Sequence, residues 1–139
     1  MPLELVVDAN VLFSALLAKS FTRDLIFNPQ LKLYSPEYLI SELNEHLQSD
    51  EEIKEKLKQT GEETEKVIHE LLHNIDIIPI SEYKTFAQEA IEITPDEFDA
   101  PYFAVALYLK VPIWTNEKRL KRQNDVKVLN TQEILRLLI

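Results

Sequence analysis

Short apolar runs alternate along the chain with longer segments in which apolar residues recur at helical spacing. The apolar runs predict five strands, at residues 3–7, 31–34, 75–80, 111–114 and 126–129. The first run, LELVV, has the length and the branched side chains of a strand buried in a parallel sheet. Strands that alternate with helices indicate an α/β fold whose parallel sheet is covered on both faces.

The segments between these runs predict helices at residues 11–18, 21–27, 82–93, 102–110 and 132–139. A further helix is expected to begin at Ser35-Pro36, because serine caps a helix and proline fits its first turn. Ser20 is the candidate cap of the 21–27 helix. Residues 50–74 predict two charged amphipathic helices with a break near Thr60-Gly61. No repeat, low-complexity segment or linker interrupts the pattern, so we expect one domain over residues 1–139.

The composition excludes several kinds of site. The sequence has one glycine, so neither a Rossmann fingerprint nor a P-loop can be present. It has no cysteine, which excludes disulfides, cysteine-bound zinc and thiol nucleophiles and fits a reducing compartment. No apolar run is long enough to span a bilayer, and the N-terminus does not resemble a signal peptide. We therefore expect a cytoplasmic protein with no membrane partner.

The net charge of −9 argues at first against a nucleic-acid partner, because an acidic surface repels phosphates. The charge is unevenly distributed, however. Residues 1–36 have a balance of 0, residues 37–99 of −13 and residues 100–139 of +4. The last segment contains a basic run, Lys118-Arg119-Leu120-Lys121-Arg122. The chain therefore has an acidic middle and a basic end.

Acidic residues follow two of the predicted strands. Asp8 ends the first strand, and Glu117 comes just after the fourth. Ligands of open α/β sheets bind outside the carboxyl ends of the strands, so these two residues can meet in space although they are distant in sequence. Asp99 opens the apolar 102–110 helix, and Glu42 lies on the helix after the second strand. These four acids are candidates for one site.

Several carboxylates in one cleft repel each other, and a cation that neutralises them removes this cost. Hard oxygen ligands suit Mg²⁺ or Mn²⁺, which bind one or two carboxylates each together with water and substrate phosphates. Such ions can bind a phosphodiester and activate an attacking water. Each acid alone also has an ordinary interpretation as a turn former, a helix cap or a solvated surface residue. The functional interpretation depends on the four acids together.

Four segments resemble the PIN-domain nucleases. Residues 6–12 (VVDANVL) are similar to the opening strand of that family, in which hydrophobic residues precede Asp-x-Asn or Asp-x-Ser. Residues 39–43 (LISEL) resemble the helix that carries the second acid of the family. Residues 99–106 (DAPYFAVA) resemble the alanine-rich buried helix that its third acid opens, and residues 114–117 (WTNE) resemble the strand end that supplies the fourth. The order and the spacings match, and the resemblance covers essentially the whole chain.

This resemblance implies a three-layer α/β/α fold with a central, mainly parallel sheet of four or five strands. It implies an endoribonuclease, of the toxin type or of the RNA-processing type, that hydrolyses RNA phosphodiester bonds with one or two Mg²⁺ or Mn²⁺ ions. By position, Asp8, Asp99 and Glu117 would be metal ligands, and Glu42 would be a ligand or a group that orients water. The resemblance also implies a homodimer.

One position departs from the pattern of the family, which usually has Asp where this chain has Glu117. The longer side chain can shift the ion or bind it through water. Asp96 is an extra acid that can substitute for Glu117 or supplement it, although residues 94–97 (TPDE) also fit a capping box in which Asp96 merely favours the helix dipole. Asn10 and Thr115 would support the ligands from behind.

The basic run follows Glu117 directly. If Glu117 is at the site, then Lys118, Arg119 and Arg122 lie near its rim and can hold RNA phosphates. A solvated helix face is the alternative interpretation of this run. Tyr102 and Trp114 can stack on bases, but packing in the core is the favoured role for both.

A second motif competes with the acidic site. His69-Glu70-Leu71-Leu72-His73 matches the H-E-x-x-H signature of zinc proteases, in which both histidines share a helix face and the glutamate is the general base. A third ligand would have to be a carboxylate such as Glu89 or Glu92, since the other histidine, His46, lies upstream. Apolar residues around the motif form an ordinary amphipathic stripe, which favours a surface helix instead.

A third interpretation is a catalytically silent PIN-like module that binds RNA or protein. The acids retained at all four positions count against it. A protein regulator that covers the site, as in toxin–antitoxin pairs, is a further candidate partner, and the acidic segment 50–65 is a candidate contact for it.

Overall fold

The computed structural model describes residues 2–17, 21–49, 51, 52, 55, 58 and 63–139. The strands in this part of the chain are β1 Leu3–Val7, β2 Leu31–Pro36, β3 Ile75–Ile78, β4 Ile113–Trp114 and β5 Val128–Leu129. They form one sheet in the order β3-β2-β1-β4-β5, and every neighbouring pair is parallel. The predicted parallel sheet is confirmed.

The connecting segments are mostly helical. The α-helices with defined bounds are α1 Ala9–Leu17, α2 Phe21–Ile26, α3 Tyr38–Ser49, α4 Thr64–His73, α5 Ile80–Tyr83, α6 Ala87–Ile93, α7 Ala100–Leu109 and α8 Thr131–Leu138. Single 3₁₀ turns cover Lys84–Phe86, Glu97–Asp99 and Lys118–Lys121. No helix among the described residues is long and apolar enough to cross a membrane.

The helices cover both faces of the sheet. From β1 the chain proceeds outwards to β2 and β3, and it then returns to the other side of β1 to form β4 and β5. Because crossovers between parallel strands are right-handed, this reversal places the helices before and after it on opposite faces. Helix α1 packs against α2, α3 and α4, whereas α7 packs against α5, α6 and the central strands. The predicted three-layer α/β/α fold is confirmed.

The core lies on both faces of the sheet, against α7 on one face and against α1, α3 and α4 on the other. Residues Leu5, Val6 and Val7 of β1 are fully buried, as expected for the middle strand of a covered sheet. Helix α7 is apolar on nearly all sides and buries Tyr102. Trp114 of β4 is also fully buried, and its indole N–H donates to the hydroxyl of Thr131 at 3.0 Å. The expectation that Tyr102 and Trp114 pack in the core is confirmed.

The predicted start of the third helix is wrong. Ser35 and Pro36 belong to β2, and α3 begins at Tyr38. The Ser35 hydroxyl is buried and donates to the carbonyl of Val7 at 2.9 Å. It therefore links two strands and does not cap a helix. A capping rule based on residue type alone does not predict this outcome, because the serine hydroxyl can also hydrogen-bond to a neighbouring strand.

The predicted helix at residues 82–93 is interrupted. Helix α5 ends at Tyr83, the 3₁₀ turn Lys84–Phe86 follows, and α6 then begins. All three segments contact α7, so the interruption lets the chain follow the surface of that buried helix. Two further predictions, the Ser20 cap and the break near Thr60-Gly61, lie outside the described residues.

The last three strands are shorter than the apolar runs that predicted them. Strand β3 ends at Ile78, because the chain turns at Pro79 into α5. Strand β4 begins only after Lys110, which ends α7 in the left-handed conformation with φ of 59°. Strand β5 begins after a loop that the Gln123 side chain holds: its amide donates to the carbonyl of Val126 at 2.7 Å and accepts from the backbone N–H of that residue at 2.8 Å.

Candidate active site at the carboxyl ends of the central strands

The chain reverses its direction across the sheet between the adjacent strands β1 and β4. The crevice outside the carboxyl ends of such strands is where open α/β sheets bind ligands. Asp8 follows β1 directly and Thr115 follows β4 directly. The two strands are in register at Val7 and Trp114, and the backbone N–H of Asp8 donates to the carbonyl of Trp114 at 3.4 Å. The register therefore places Asp8 and Thr115 side by side.

Asp8 is almost completely buried, with 3% of its surface exposed. Its Oδ1 accepts from the backbone N–H of Val11 at 3.1 Å and so caps α1. Burial raises the pKa of Asp8 to about 7, against the opposing effect of hydrogen bonds from Thr115 and Val11. The carboxylates of Asp99 and Glu117 raise the pKa further. Asp8 is thus a buried acid close to other acids.

Asp99 lies at the junction between the 3₁₀ turn Glu97–Asp99 and α7, and its side chain is mostly buried. Burial raises the pKa of Asp99 to about 6, and the carboxylates of Asp96, Glu42 and Glu117 add to this effect, whereas Arg119 lowers it. The Oδ2 atom of Asp99 is buried and accepts no hydrogen bond from any residue that the structure describes. A buried carboxylate oxygen without a donor is unusual and has the capacity to bind a cation.

Glu42 reaches the same region from α3. Its Oε1 accepts a hydrogen bond of 2.7 Å from the hydroxyl of Tyr102 on α7. Burial raises the pKa of Glu42, and the hydrogen bond from Tyr102 and the nearby His46 lower it. The sequence indicated a core role for Tyr102, but its hydroxyl also fixes an acid of the site. A tyrosine on a helix that is apolar on all sides is the available signal, because a buried phenol needs a polar partner.

Glu117 is held by two neighbours. The carboxylate oxygen Oε1 accepts from the amide of Asn10 on α1 at 2.8 Å. The backbone N–H of Glu117 donates to the hydroxyl oxygen of Thr115 at 3.0 Å. Since Thr115 also hydrogen-bonds to the carboxylate of Asp8, its hydroxyl connects the two strand ends. Asn10 and Thr115 therefore contact the predicted site residues Glu117 and Asp8.

Arg119 contacts three carboxylates of the cluster. The 3₁₀ turn Lys118–Lys121, which follows Glu117 directly, is anchored by the buried Leu120. The guanidinium of Arg119 lies 2.5 Å from Asp96 (Nη1 to Oδ2) and 3.3 Å from Asp99 (Nη2 to Oδ2). Its Nε lies 3.5 Å from Oε2 of Glu117. The sequence predicted a phosphate-binding residue at the rim, and the structure places the guanidinium among the acids themselves.

Asp96 lies beside the cluster and is the principal partner of Arg119. This contact lowers the pKa of Asp96. The Oδ1 atom of Asp96 caps the 3₁₀ turn by accepting from the backbone N–H of Phe98 at 3.0 Å. Thr94 does not form the predicted capping box, because its hydroxyl donates to the backbone carbonyl of Asp96 at 3.1 Å. The cap is Asp96 itself.

The other bases of the run have different surroundings. Lys121 forms an ion pair with Glu133 of α8. Lys118 and Arg122 are exposed. The four bases of the run therefore differ: Arg119 contacts the acids, Lys121 pairs with Glu133, and the other two are exposed to solvent.

The four predicted acids converge at one end of the sheet. The electrostatic coupling of Asp99 to Glu42 and Glu117, and of Asp8 to Asp99, places them within reach of each other. Among the described residues, no group of three or more histidine or acidic side chains is arranged so that it could hold a metal ion by itself. Mg²⁺ commonly binds one or two carboxylates and completes its shell with water and substrate phosphates, so a complete protein shell is not required. The carboxylate oxygens of the cluster fit such an ion, including the buried Oδ2 of Asp99, which accepts no hydrogen bond from the described residues.

The competing zinc motif has a different environment. His69, Glu70 and His73 are exposed on α4, whose buried face carries Val67 and Leu71. The part of the chain that the structure describes offers no third ligand beside them, since no group of three potential ligands is present there. This arrangement favours the surface-helix interpretation of the motif.

An apolar groove of about 430 Å³ lies beside the acids. Tyr38 lines this groove and also lies near the acids. Burial raises the pKa of Tyr38, and the carboxylates of Glu42 and Asp99 raise it further. Phe98, Ile80 and Ile91 also line the groove and are more than half exposed. Sequence reasoning missed this surface, because its residues come from separate segments and no local pattern unites them.

The sequence matches the family profile of the PIN domain over residues 6–138, and the chain therefore belongs to the PIN domain family, whose members are generally nucleases. A comparison with curated proteins gives no match. The fold is similar to that of VapBC2 from Rickettsia felis, in a crystal structure in which VapBC2 is bound to a DNA fragment from its promoter. That similarity has a TM-score of 0.66 at 15% identity over 92% of this chain and 98% of that one. PAE2754 from Pyrobaculum aerophilum gives a TM-score of 0.62 at 18% identity over 98% of this chain and 89% of that one.

Proposed function

We propose that residues 1–139 form one PIN-like domain that acts as an endoribonuclease and hydrolyses RNA phosphodiester bonds with Mg²⁺ or Mn²⁺. The observation that carries this proposal is the convergence of Asp8, Glu42, Asp99 and Glu117 at the carboxyl ends of β1 and β4. Membership of the PIN domain family supports nuclease chemistry. The raised pKa values of Asp8 and Asp99 support a cation site, because a divalent ion would relieve the cost of ionising buried carboxylates.

Each acid has a proposed role. Asp8, Asp99 and Glu117 bind one or two ions, and Glu42 binds an ion or orients the attacking water. When bound, the ion would supply Lewis-acid activation of the phosphodiester and lower the pKa of the water. Glu42 is suited to hold that water, because the hydroxyl of Tyr102 occupies one carboxylate oxygen and fixes the orientation of the other.

The supporting residues fix the geometry of the acids. Thr115 joins Asp8 to the backbone of Glu117, and Asn10 holds the carboxylate of Glu117. Such contacts set the positions of ligands before an ion or substrate arrives. Asp96 has the role of a supplementary acid that holds Arg119.

RNA is the proposed substrate although the whole chain is acidic. Lys118 and Arg122 are exposed at the start and the end of the turn that follows Glu117, and we expect them to contact RNA phosphates. Arg119 is the third proposed phosphate contact. Local positive charge at the rim of the site would offset the long-range repulsion between the acidic middle of the chain and RNA.

A protein regulator is a further proposed partner. The apolar groove beside the acids, with Phe98 exposed by 68%, is a surface that a regulator segment can cover. The similarity to VapBC2 supports a toxin-type PIN nuclease with an antitoxin-like partner. A homodimer is proposed on the family resemblance alone.

The test is a cleavage assay with labelled unstructured RNA in EDTA, Mg²⁺ or Mn²⁺. Wild-type protein should cleave only with metal, and Asp8→Asn and Asp99→Asn should each lose on the order of a hundredfold in rate or more. The matched control is Asp76→Asn on β3, whose carboxylate pairs with Lys32 away from the cluster, and it should cleave like wild type. Equal cleavage by wild type and both site variants would contradict the assignment. RNA binding without cleavage by wild type would favour the catalytically silent module.

A further inference from the structure

We infer that Arg119 is an internal competitor of the divalent ion: its guanidinium screens the ligand carboxylates until the ion displaces it, and it is then free to bind RNA phosphate. This inference rests on the proposed function, since it concerns the same acids. The observation behind it is that one guanidinium contacts Asp96, Asp99 and Glu117.

The three contacts are unequal. The contact with Asp96 is the shortest of the three and is a hydrogen bond donated by Nη1, whereas the contacts of 3.3 Å to Asp99 and 3.5 Å to Glu117 are long for charge-assisted hydrogen bonds. The short contact is therefore made with the supplementary acid, and the two proposed ligands are only loosely screened. Displacement by an ion would break the weak contacts first.

The buried oxygen of Asp99 is the point of competition. The Oδ2 atom accepts no hydrogen bond from the described residues, although the guanidinium is near it. A guanidinium and a divalent ion repel each other strongly at such distances in a poorly solvated site. The guanidinium and the ion therefore cannot both stay in close contact with Oδ2 of Asp99.

Arg119 has room to leave the cluster. Its side chain is 40% exposed, and the turn that carries it is held separately by the buried Leu120. Rotation of the side chain alone can bring the guanidinium to the solvent side of the cleft. Arg136 of α8 is exposed and provides an internal comparison of equal charge.

A purely structural ion pair makes the opposite prediction for metal binding. If Arg119 only stabilises the acids, its loss would loosen them and weaken or leave unchanged the affinity for an ion. If Arg119 competes with the ion, its loss would strengthen that affinity, because the ion no longer has to displace a cation. The two roles therefore differ in sign.

The experiment is calorimetric titration of the metal-free full chain with Mn²⁺. Arg119→Gln should bind Mn²⁺ about fivefold more tightly than wild type or better, as expected when two ligands are coupled through one site. The matched control, Arg136→Gln, removes the same charge from an exposed position on α8 and should change the affinity less than twofold. Equal or weaker binding by Arg119→Gln, or equal tightening by both variants, would overturn the inference.

A second measurement uses the unaltered protein. The side-chain Nε–Hε signal of Arg119 in an NMR spectrum should shift and sharpen on addition of Mg²⁺, while those of Arg122 and Arg136 stay in place. An unchanged Arg119 signal at saturating Mg²⁺ would overturn the inference.

The failure of this inference is distinguishable from that of the proposed function. Equal Mn²⁺ affinity in wild type and Arg119→Gln, with loss of binding in Asp8→Asn, would overturn the competition and leave the metal site in place. No Mn²⁺ binding by any of these proteins would overturn both.

Discussion

Two regions of the molecule carry residues that can bind metal, and they differ in how the sequence displays them. Helix α4 presents His69, Glu70 and His73 as one contiguous motif, but all three are exposed. The acids at the sheet edge are scattered over the chain, yet Asp8 is almost completely buried and Asp99 is mostly buried. A recognisable motif thus lies on an ordinary surface helix, whereas dispersed residues form the chemically unusual cluster.

In this protein, the position of a residue in the fold therefore indicates its chemical role better than its neighbours in sequence do. The carboxyl ends of β1 and β4 lie where the sheet reverses direction, and residues that follow these strands are brought together. Burial there raises the pKa of Asp8 to about 7 and that of Asp99 to about 6. Perturbed groups of this kind in a cleft are typical of functional sites.

The largest expected effect contrasts the two regions directly. Asp99→Asn should reduce metal-dependent RNA cleavage by on the order of a hundredfold or more, because it removes a ligand charge. The double variant His69→Ala/His73→Ala should cleave within about twofold of wild type, since exposed substitutions away from a site have small effects. Initial rates at saturating Mn²⁺ provide the measurement. The reverse ranking would contradict the comparison.

Stability gives the second contrast, with a definite dependence on pH. Because the pKa of Asp8 is raised from 3.8 to about 7 on folding, ionised Asp8 destabilises the native state; the penalty appears above pH 4 and is complete above pH 7. Asp8→Asn should therefore raise the free energy of unfolding by about 1–3 kcal/mol at pH 8 in EDTA. The gain should vanish at pH 4.

Urea denaturation at the two pH values measures this effect. His69→Ala is the control from the exposed region and should change stability by less than about 0.5 kcal/mol at pH 8. A loss of stability in Asp8→Asn at pH 8 would mean that its hydrogen bonds to Val11 and Thr115 outweigh the cost of burying its charge.

Substitution of Tyr102 tests whether its hydrogen bond to Glu42 positions that acid for the reaction. Tyr102→Phe should lower the cleavage rate roughly tenfold, the effect of losing one hydrogen bond to a charged group. The bond lowers the pKa of Glu42, so its loss should move the acid limb of the pH–rate profile to higher pH. Tyr108→Phe, on the same helix but partly exposed, is the matched control. An unchanged profile in Tyr102→Phe would contradict the positioning role.

Asn10 has the smallest expected effect. Asn10→Ala removes the amide that donates to Glu117, a contact that is open to solvent. Calorimetry should show Mn²⁺ binding weakened by about threefold, below the range typical of well-buried supporting residues. Asn74→Ala, at the end of α4, should leave the affinity unchanged. A loss as large as that in Asp99→Asn would instead mean that Asn10 is essential to the ligand set.

The sequence predicts the sheet and the strand-end acids because both depend on local patterns. Apolar runs mark the strands, and a polar residue directly after a buried strand must lie at its end, as Asp8 and Thr115 do. The direction of the Arg119 side chain depends on a 3₁₀ turn and on Asp96, which comes from a distant segment. No periodicity contains that information. The hydrogen bond between Tyr102 and Glu42 was not predicted for the same reason. Nor was the apolar groove, whose residues come from separate segments.

The anomalous diffraction of a crystal soaked in Mn²⁺ would locate the ion and so test most directly whether the acids at the sheet edge bind metal. The peak is expected at the carboxyl ends of β1 and β4, within coordination distance of Asp8 or Asp99, with the guanidinium of Arg119 moved away. A peak at His69 and His73 with none at the acids would contradict it, as would the absence of any peak at the acids at saturating Mn²⁺.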